Sequence, residues 1–386
     1  MRIKSIDIFR ALTMFLMVFV NDLWTLSGIP EWLKHTKAGE DGMGLADIVF
    51  PAFLFIVGLA IPYAIKARIS RDESAIKILM HIAERTIALL VMGLFMVNLE
   101  YINEDQMILG KYVWQILMAF GFFLIWKEYR GGRTGRIPAN IMRVTGLFIL
   151  VFLAAIYHGG TGGRSHWMNT YWWGILGLIG WGYLVNALVY FLLRDRPAWI
   201  ALVCLVFYLM NVNESVSFLP VRLKLVVSAS NYASVTGGLL VTTILLRLKE
   251  KDRMKFMIPV LVGLIVLFLT FGFASRPLWG ISKIRATPSW TAICTGISIL
   301  VFIFLYLLAD KMRITRWANV ISPAGRSALT CYLVPYLVYP LLAFSGFGLP
   351  EVFLTGIAGI IKSIVFSLLI IWITGLLVKL NIRLKI

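Results

Sequence analysis

Four polar side chains lie close together around the first predicted loop of this chain: Asn21, Asp22, His35 and Asp47. A neutral imidazole can accept a proton from an attacking amine or hydroxyl near neutral pH, which suits group transfer. A carboxylate beside it would fix its tautomer, and Asp47 or Asp22 could supply one. The amide of Asn21 could donate a hydrogen bond to the oxygen charge that develops during acyl transfer. The alternative is that His35 is a solvated loop residue and that Asn21 and Asp22 only cap a helix end.

The elements that must position these side chains are membrane-spanning helices. Of the 386 residues, 60% are hydrophobic and only 15% are charged, which excludes an ordinary soluble protein. Apolar runs of the length needed to cross a bilayer predict twelve spans: Ile8–Leu26, Leu45–Ile65, Thr86–Ile102, Lys111–Trp126, Ile141–Tyr157, Tyr171–Leu193, Ala198–Val212, Asn231–Leu246, Phe256–Ala274, Thr291–Leu308, Leu329–Phe344 and Ile357–Val378. We therefore expect an all-α polytopic membrane helical bundle of about 10–12 transmembrane helices, with residues 1–386 forming a single integral membrane domain.

The basic residues follow the alternation of the predicted loops. An even number of spans places both termini on one side, and 27 of the 37 Lys and Arg residues fall on that side, against 10 on the other. This asymmetry is the positive-inside pattern, so we expect both termini to be cytoplasmic and the first apolar run to be retained as span one. Topology accounts for most of the net charge of +18, and no nucleic-acid partner is expected.

The predicted orientation carries the polar residues of the first loop to the extracytoplasmic side. Span one ends near Asn21 and Asp22, the loop holds His35, and Asp47 begins the return span. Because a short loop between antiparallel helices brings their ends together, we expect these side chains to converge on one pocket.

Further polar residues at membrane depth or in outer loops are candidates for binding. Asn98, Glu100 and Gln115 lie in spans three and four, where buried polar groups either bond one another or face a cavity. The external segment from Lys283 to Trp290 combines Lys283, Arg285 and Trp290, which could receive an anion or stack against a sugar; interfacial anchoring by Trp290 is the alternative.

Other residue types predict structure rather than chemistry. Four histidines without HExxH spacing predict no metal site, and the three cysteines fall in apolar runs, where we expect them to be core residues. Glycines in the sixth span, at positions 174, 177, 180 and 182, predict close helix packing.

A family resemblance adds what spacing alone does not. The segments Ser5–Ala11 (SIDIFRA), Met17–Asn21 (MVFVN), Lys34-His35 and Leu45–Gly58 (LADIVFPAFLFIVG) resemble the heparan-alpha-glucosaminide N-acetyltransferase family of transmembrane acyltransferases. The resemblance is dense over roughly the first sixty residues, and the chain resembles a compact prokaryotic member. It implies acetyl-CoA as the acyl donor on the cytoplasmic side and an amino sugar or related glycan as acceptor on the far side. It also implies that His35 is catalytic, that Asn21 assists, and that Asp47 is the acidic residue opening the next span.

We therefore expect a transmembrane acetyltransferase in a bacterial cytoplasmic membrane. His35 would be the general base, Asn21 the oxyanion donor and Asp47 an orienting carboxylate. The partners are acetyl-CoA, a glycan acceptor and the lipid bilayer, and a homodimer is left open. The remaining expected roles are acceptor binding for Asp22, Glu100, Lys283, Arg285 and Trp290, donor binding for Asn98 and Gln115, and lining of the acyl route for Gly93, Asn98, Gln115 and Gly121. The alternative from another class is an ion-coupled secondary transporter, in which Asp22, Asp47 and Glu100 handle protons or cations.

Overall fold

A computed structural model of the chain describes residues 3–129, 139–160, 165–216 and 225–386. Within these ranges the regular structure is helical, with isolated β-bridges but no strand. The helices are α1 Lys4–Asp22, α2 Leu45–Ile69, α3 Ala75–Glu100, α4 Lys111–Trp126, α5 Ala139–Ala155, α6 Gly174–Leu193, α7 Pro197–Val216, α8 Ala229–Glu250, α9 Met257–Trp279, α10 Pro288–Tyr306, α11 Ser322–Arg326, α12 Ala328–Leu333, α13 Pro335–Phe344 and α14 Gly356–Lys379. The predicted all-α class is confirmed.

All twelve predicted spans coincide with helical segments. In the described part of the chain, eight helices are long and apolar enough to cross a membrane, namely α2, α3, α6, α7, α8, α9, α10 and α14. Helices α4 and α5, and the pair α12–α13, are apolar but shorter. Helix α1 has 19 residues and carries the charged residues Lys4, Asp7, Arg10 and Asp22. The chain is therefore a polytopic integral membrane protein.

The helices run back and forth between two faces of the bundle. We call the face where α1 begins the near face and the face where α1 ends the far face. An ion pair joins Lys66 in the last turn of α2 to Asp195 between α6 and α7 at the near face. At the far face, Ser27 exchanges backbone hydrogen bonds with residues 354 and 356. Of the described cations, 23 lie toward the near face and 7 toward the far face. The other cations, Arg2, Arg130, Arg133, Arg136, Arg164, Arg222 and Lys224, lie outside the described residues.

Glycines allow the central helices to approach one another closely. A Cβ atom on Gly58 of α2 would lie 1.9 Å from the Val235 carbonyl oxygen of α8, and one on Gly238 would lie 1.9 Å from the Phe55 carbonyl oxygen. On α3, a Cβ on Gly93 would lie 2.3 Å from the amide nitrogen of Gly177 in α6. A Cβ on Gly174 of α6 would lie 2.9 Å from the Gly93 carbonyl oxygen. Small residues permit such backbone contact between membrane helices, so the predicted packing role of the α6 glycines is confirmed at Gly174.

The residues expected to line an acyl route fall in different surroundings. Gly93 packs on α6, and Gly121 packs on Leu150 of α5. Their expected place along the route is therefore wrong, because both positions are filled by neighbouring helices. The cysteines Cys204, Cys294 and Cys331 are free and buried, as predicted.

Candidate active site

The centre of the candidate site is a hydrogen bond between His35 and Asp47. His35 follows a 3₁₀ turn over Glu31–Leu33, and Asp47 lies in the first turn of α2. The Nδ1 atom of His35 lies 2.7 Å from Asp47 Oδ1, while Asp47 Oδ2 accepts backbone N–H bonds from Thr36 and Gly44 at 3.0 Å each. These bonds hold the carboxylate at the helix N-terminus, where a negative charge is favoured.

The remaining ring nitrogen of His35, Nε2, is left by Asp47 to accept a proton or a hydrogen bond. Because the Asp47 carboxylate is an acceptor, Nδ1 carries the proton in this pair and Nε2 retains its lone pair. The His35 side chain is 47% exposed, whereas that of Asp47 is 1% exposed. The site therefore presents an oriented imidazole to the far face and keeps its carboxylate away from water.

Lys283 is a cation beside this imidazole. Its Nζ atom lies 3.2 Å from His35 Nδ1 and 3.4 Å from Nε2. Burial lowers the pKa of the Lys283 ammonium, an effect that the nearby charge of Asp47 opposes. Lys283 and His35, which the sequence singled out separately, are thus brought together although 248 residues separate them.

Two loops are held together above the dyad. Asp41 pairs with Arg276 at 2.9 Å and accepts the Ile281 amide N–H at 2.6 Å, and these two interactions lower the pKa of the Asp41 carboxyl, the backbone bond most. The indole Nε1 of Trp290 donates to the Asp47 carbonyl oxygen at 3.2 Å. Trp290 is buried, so it supports the backbone of Asp47 and does not present its ring to an acceptor, the role that the sequence had led us to expect for it.

Asn21 lines a separate cavity at the far face, with a volume of about 520 Å³. Among the described residues, its lining includes Asn21, Glu100 and Gln115 but not His35. Gln115 Nε2 donates to the Tyr336 carbonyl oxygen at 3.1 Å. The aromatic and basic residues that complete the wall are Trp24, Lys111, Trp172, Tyr332, Tyr336 and Tyr339.

A larger cavity of about 1300 Å³ opens at the near face. Its lining carries the cations Lys4, Arg10, Lys66, Arg85, Lys249, Arg313, Arg326 and Lys385, and the acids Asp7 and Asp310. Asp310 accepts the backbone N–H groups of Lys4 and Ser5 at the start of α1. Ile175 and Tyr332 line both cavities, so these two side chains lie between the two spaces inside the bundle.

Asp22 takes no part in either the dyad or the cavity lining among the described residues. It is fully buried, and its carboxylate accepts hydrogen bonds from Tyr339, Lys362 and Ser363 at 2.6, 2.8 and 2.5 Å. Sequence reasoning missed Lys362 as its partner. A signal was present, since Lys362 is a charge inside an otherwise apolar run.

The other predicted residues lie apart from the dyad. Asn98 is buried, its side-chain amide bonds the Leu94 and Asn169 carbonyl oxygens, and its Oδ1 accepts the Asn169 N–H. It thus fixes the loop before α6. Arg285 is exposed at the far face. No group of three or more His, Cys, Asp or Glu side chains able to hold a metal occurs in the part of the chain that the structure describes.

Comparison with known proteins adds to this geometry. Residues 2–219 match the model of a family described as "Domain of unknown function (DUF5009)". The chain belongs to this family. Heparan-alpha-glucosaminide N-acetyltransferase of Homo sapiens is 38% identical over 101 residues, which are 26% of this chain and 14% of the human protein. The enzyme of the same name from Mus musculus is 37% identical over 101 residues, with the same shares. The match therefore spans about a seventh of these relatives' length, and it supports the acetyltransferase resemblance noted from the sequence.

Proposed function

We propose that this protein is a transmembrane acetyltransferase that moves the acetyl group of acetyl-CoA from the near face to an amino sugar or related glycan at the far face. The observation that carries the proposal is that Ile175 and Tyr332 line both cavities, since a route through the bundle would run past these two side chains. The excess of cations at the near face supports a cytoplasmic near face and cytoplasmic termini. On this proposal residues 1–386 act as one membrane domain of a bacterial cytoplasmic membrane.

The near cavity suits the nucleotide end of the donor. Eight cations against two acids favour a molecule that carries several phosphates. Arg85 stacks 4.7 Å from the ring centre of Tyr183, and its Nε is buried without a hydrogen-bond partner among the described residues. From Arg10 to Asn21, α1 rises about 16 Å at 1.5 Å per residue. An extended thioester arm along α1 would therefore place its acetyl end near Asn21.

The chemistry of transfer follows from the far-face residues. His35 Nε2 would take a proton from the acceptor nitrogen as that nitrogen attacks the thioester carbonyl, and Asp47 would stabilise the imidazolium. The Asn21 amide would donate to the oxyanion that develops on the carbonyl oxygen. The C–S bond then breaks, and the departing CoA thiolate takes up the proton that the His35 imidazolium holds. The acceptor nitrogen must therefore reach His35 from the exposed side while the thioester carbonyl reaches Asn21 from the cavity side.

Proteoliposomes given labelled acetyl-CoA and candidate amino sugars test the proposal. Replacing His35 by Ala should lower transfer by about 10²- to 10⁴-fold, the usual contribution of a positioned general base. His158→Ala is a matched control, because His158 is also an exposed histidine at the far face. Its Nδ1 atom lies 2.9 Å from Ser165 Oγ, away from the His35–Asp47 pair. Undiminished transfer in His35→Ala would overturn the catalytic assignment. Solute flux coupled to an ion gradient, without thioester consumption, would favour the transporter alternative.

A further inference from the structure

The buried carboxylate of Asp22 joins three helices at the far face. Asp22 ends α1, Tyr339 belongs to α13, and Lys362 and Ser363 belong to α14. Tyr339 bonds one carboxylate oxygen, and Lys362 and Ser363 bond the other. Lys362 Nζ also donates to Thr25 Oγ1 at 2.9 Å. Every oxygen of the carboxylate is thus engaged by a neighbour on another helix.

This network destabilises the fold unless both of its charged partners are present. The side chain of Asp22 is 0% exposed and that of Lys362 is 17% exposed. A buried ion pair stabilises a fold weakly at best, but removal of one partner leaves an uncompensated charge. Intramembrane charges of this kind are more often functional than structural, so its position relative to the cavities matters.

The network borders the far cavity on two sides. Asn21, which precedes Asp22 on α1, lines the cavity, and so does Tyr339, whose hydroxyl is committed to Asp22. The Trp24 ring lies 6.3 Å from the Tyr339 ring and also lines the cavity. A shift of Asp22 would therefore move the proposed oxyanion donor and the Tyr339 side chain together.

We propose that Asp22, held by Lys362, is a positioning residue that fixes Asn21 and Tyr339 in the wall of the far cavity. This inference rests on the proposed acetyl transfer and assigns Asp22 a role other than acceptor binding. The paired charges act by locking α1 against α13 and α14. Asp22 itself touches neither the donor nor the acceptor.

Kinetics of neutralised variants separate this role from direct binding. Asp22→Asn and Lys362→Met each leave one buried charge without its partner, and a displacement of about 1 Å at a reacting group can cost roughly 100-fold in rate. We expect each single variant to lower kcat about 10- to 100-fold with little change in KM for either substrate. The double variant removes both charges and should recover most of kcat, since coupled neighbours are non-additive. Glu73→Gln, which removes a near-face ion pair with Arg68, is the control and should leave kcat unchanged.

The opposite pattern would overturn the inference. If Asp22 bound the acceptor, Asp22→Asn would raise the acceptor KM and Lys362→Met would not rescue it. Normal kcat in both single variants would equally refute a positioning role. Tyr339→Phe guards against a misfolded single variant, because it keeps the ring and removes one bond to Asp22. A fall in kcat of about 3- to 10-fold is expected, as for loss of one hydrogen bond of ordinary strength while Lys362 and Ser363 still hold the carboxylate.

A thiol-accessibility measurement makes the inference testable without the enzymatic assay. The three native cysteines are buried, so Asn21→Cys introduces one reactive thiol in the cavity wall. Adding Asp22→Asn should change the rate of modification by a small water-soluble thiosulfonate about fivefold or more, as expected for roughly 1 kcal/mol of local repacking. Adding Lys362→Met as well should restore the original rate. If no acetyl transfer is found but the modification rate of the thiol changes as expected, only the proposed function is refuted. If transfer is normal but Asp22→Asn leaves the modification rate unchanged, only the positioning role is refuted.

Discussion

Asp22 and Asp47 are buried carboxylates at the far-face ends of consecutive helices, yet their surroundings differ in kind. Asp22 is bound on all sides by fixed partners from α13 and α14. Asp47 is bound by backbone N–H groups and by one half-exposed imidazole. The difference teaches that burial of an acid in a membrane protein does not by itself indicate chemistry. What matters is whether the partner of that acid can reach a substrate.

The largest expected effect concerns stability and separates the two acids. Asp22→Ala leaves Lys362 buried without its carboxylate, and we expect it to lower the free energy of unfolding by about 3–5 kcal/mol. Asp47→Ala removes acceptors from two backbone N–H groups and a half-exposed ring, so a loss of about 1–3 kcal/mol is expected. Denaturant unfolding of both variants in one detergent measures the difference. Equal losses of unfolding free energy would contradict the distinction between Asp22, which is enclosed by fixed partners, and Asp47, whose imidazole partner is half-exposed.

The second test concerns catalytic activity and changes Asp47 alone. Asp47→Asn retains the shape of the side chain but loses a charge-assisted hydrogen bond worth about 1.5–3 kcal/mol, so kcat should fall roughly 10- to 100-fold. The variant should unfold close to the wild-type temperature. Steady-state transfer assays provide the measurement, with Asp41→Asn as a nearby loop control. Unaltered kcat would show that His35 needs no orienting carboxylate.

A third, smaller effect tests the route that serves the far-face residues. Tyr332 is buried and lines both cavities. Tyr332→Trp enlarges this shared wall, and we expect transfer to fall about tenfold, equivalent to about 1.4 kcal/mol. Binding of acetyl-CoA to the near-face cations should be retained. Titration of donor binding alongside transfer rates distinguishes the two, and parallel loss of both would place Tyr332 in donor binding alone.

The smallest effect is a pH response of the loops above the dyad. The pKa of Asp41 lies below its ordinary value of 3.8, chiefly because its carboxylate accepts the Ile281 N–H and pairs with Arg276. A depressed pKa contributes stability that is present above the ordinary pKa and is lost as the pH falls through the depressed one. Protection of the Ile281 amide from hydrogen exchange should therefore persist at pH 5 and be lost only as the pH falls through the depressed pKa, below 3.8. Asp41→Asn should remove this response, and a pH-independent protection factor in the wild-type protein would contradict it.

Much of the fold could be predicted from the chain alone. Each of the twelve apolar runs became a helix, because an apolar segment in a bilayer must satisfy its own backbone hydrogen bonds. The pairing of His35 with Asp47 was also accessible, since 12 residues separate them and the helix start at Gly44 brings the acid back to the loop. Local geometry was sufficient in both cases.

Contacts between distant helices could not be predicted in this way. Asp22 was grouped with His35 because both border one loop, but its partner Lys362 lies 340 residues further along the chain. Asn98 was predicted to bind the acyl donor because it lies at membrane depth in α3. Its side-chain amide instead bonds the Asn169 carbonyl oxygen in the loop before α6. In each case the polar group was correctly recognised as significant, and its partner depended on helix packing.

The sequence by itself determined the helical class, the alternation of faces and the segregation of cations, because these depend on apolar length and on charge near each span end. Only the tertiary structure decided which polar side chains meet. It separated Asp22 from the imidazole, placed Lys283 beside His35, and brought a cation-lined cavity up to the one that Asn21 lines, with Ile175 and Tyr332 in both walls. The physical reason is that a polar group inside an apolar bundle must find a partner, and close packing at positions such as Gly58 and Gly238 determines which partners lie within reach.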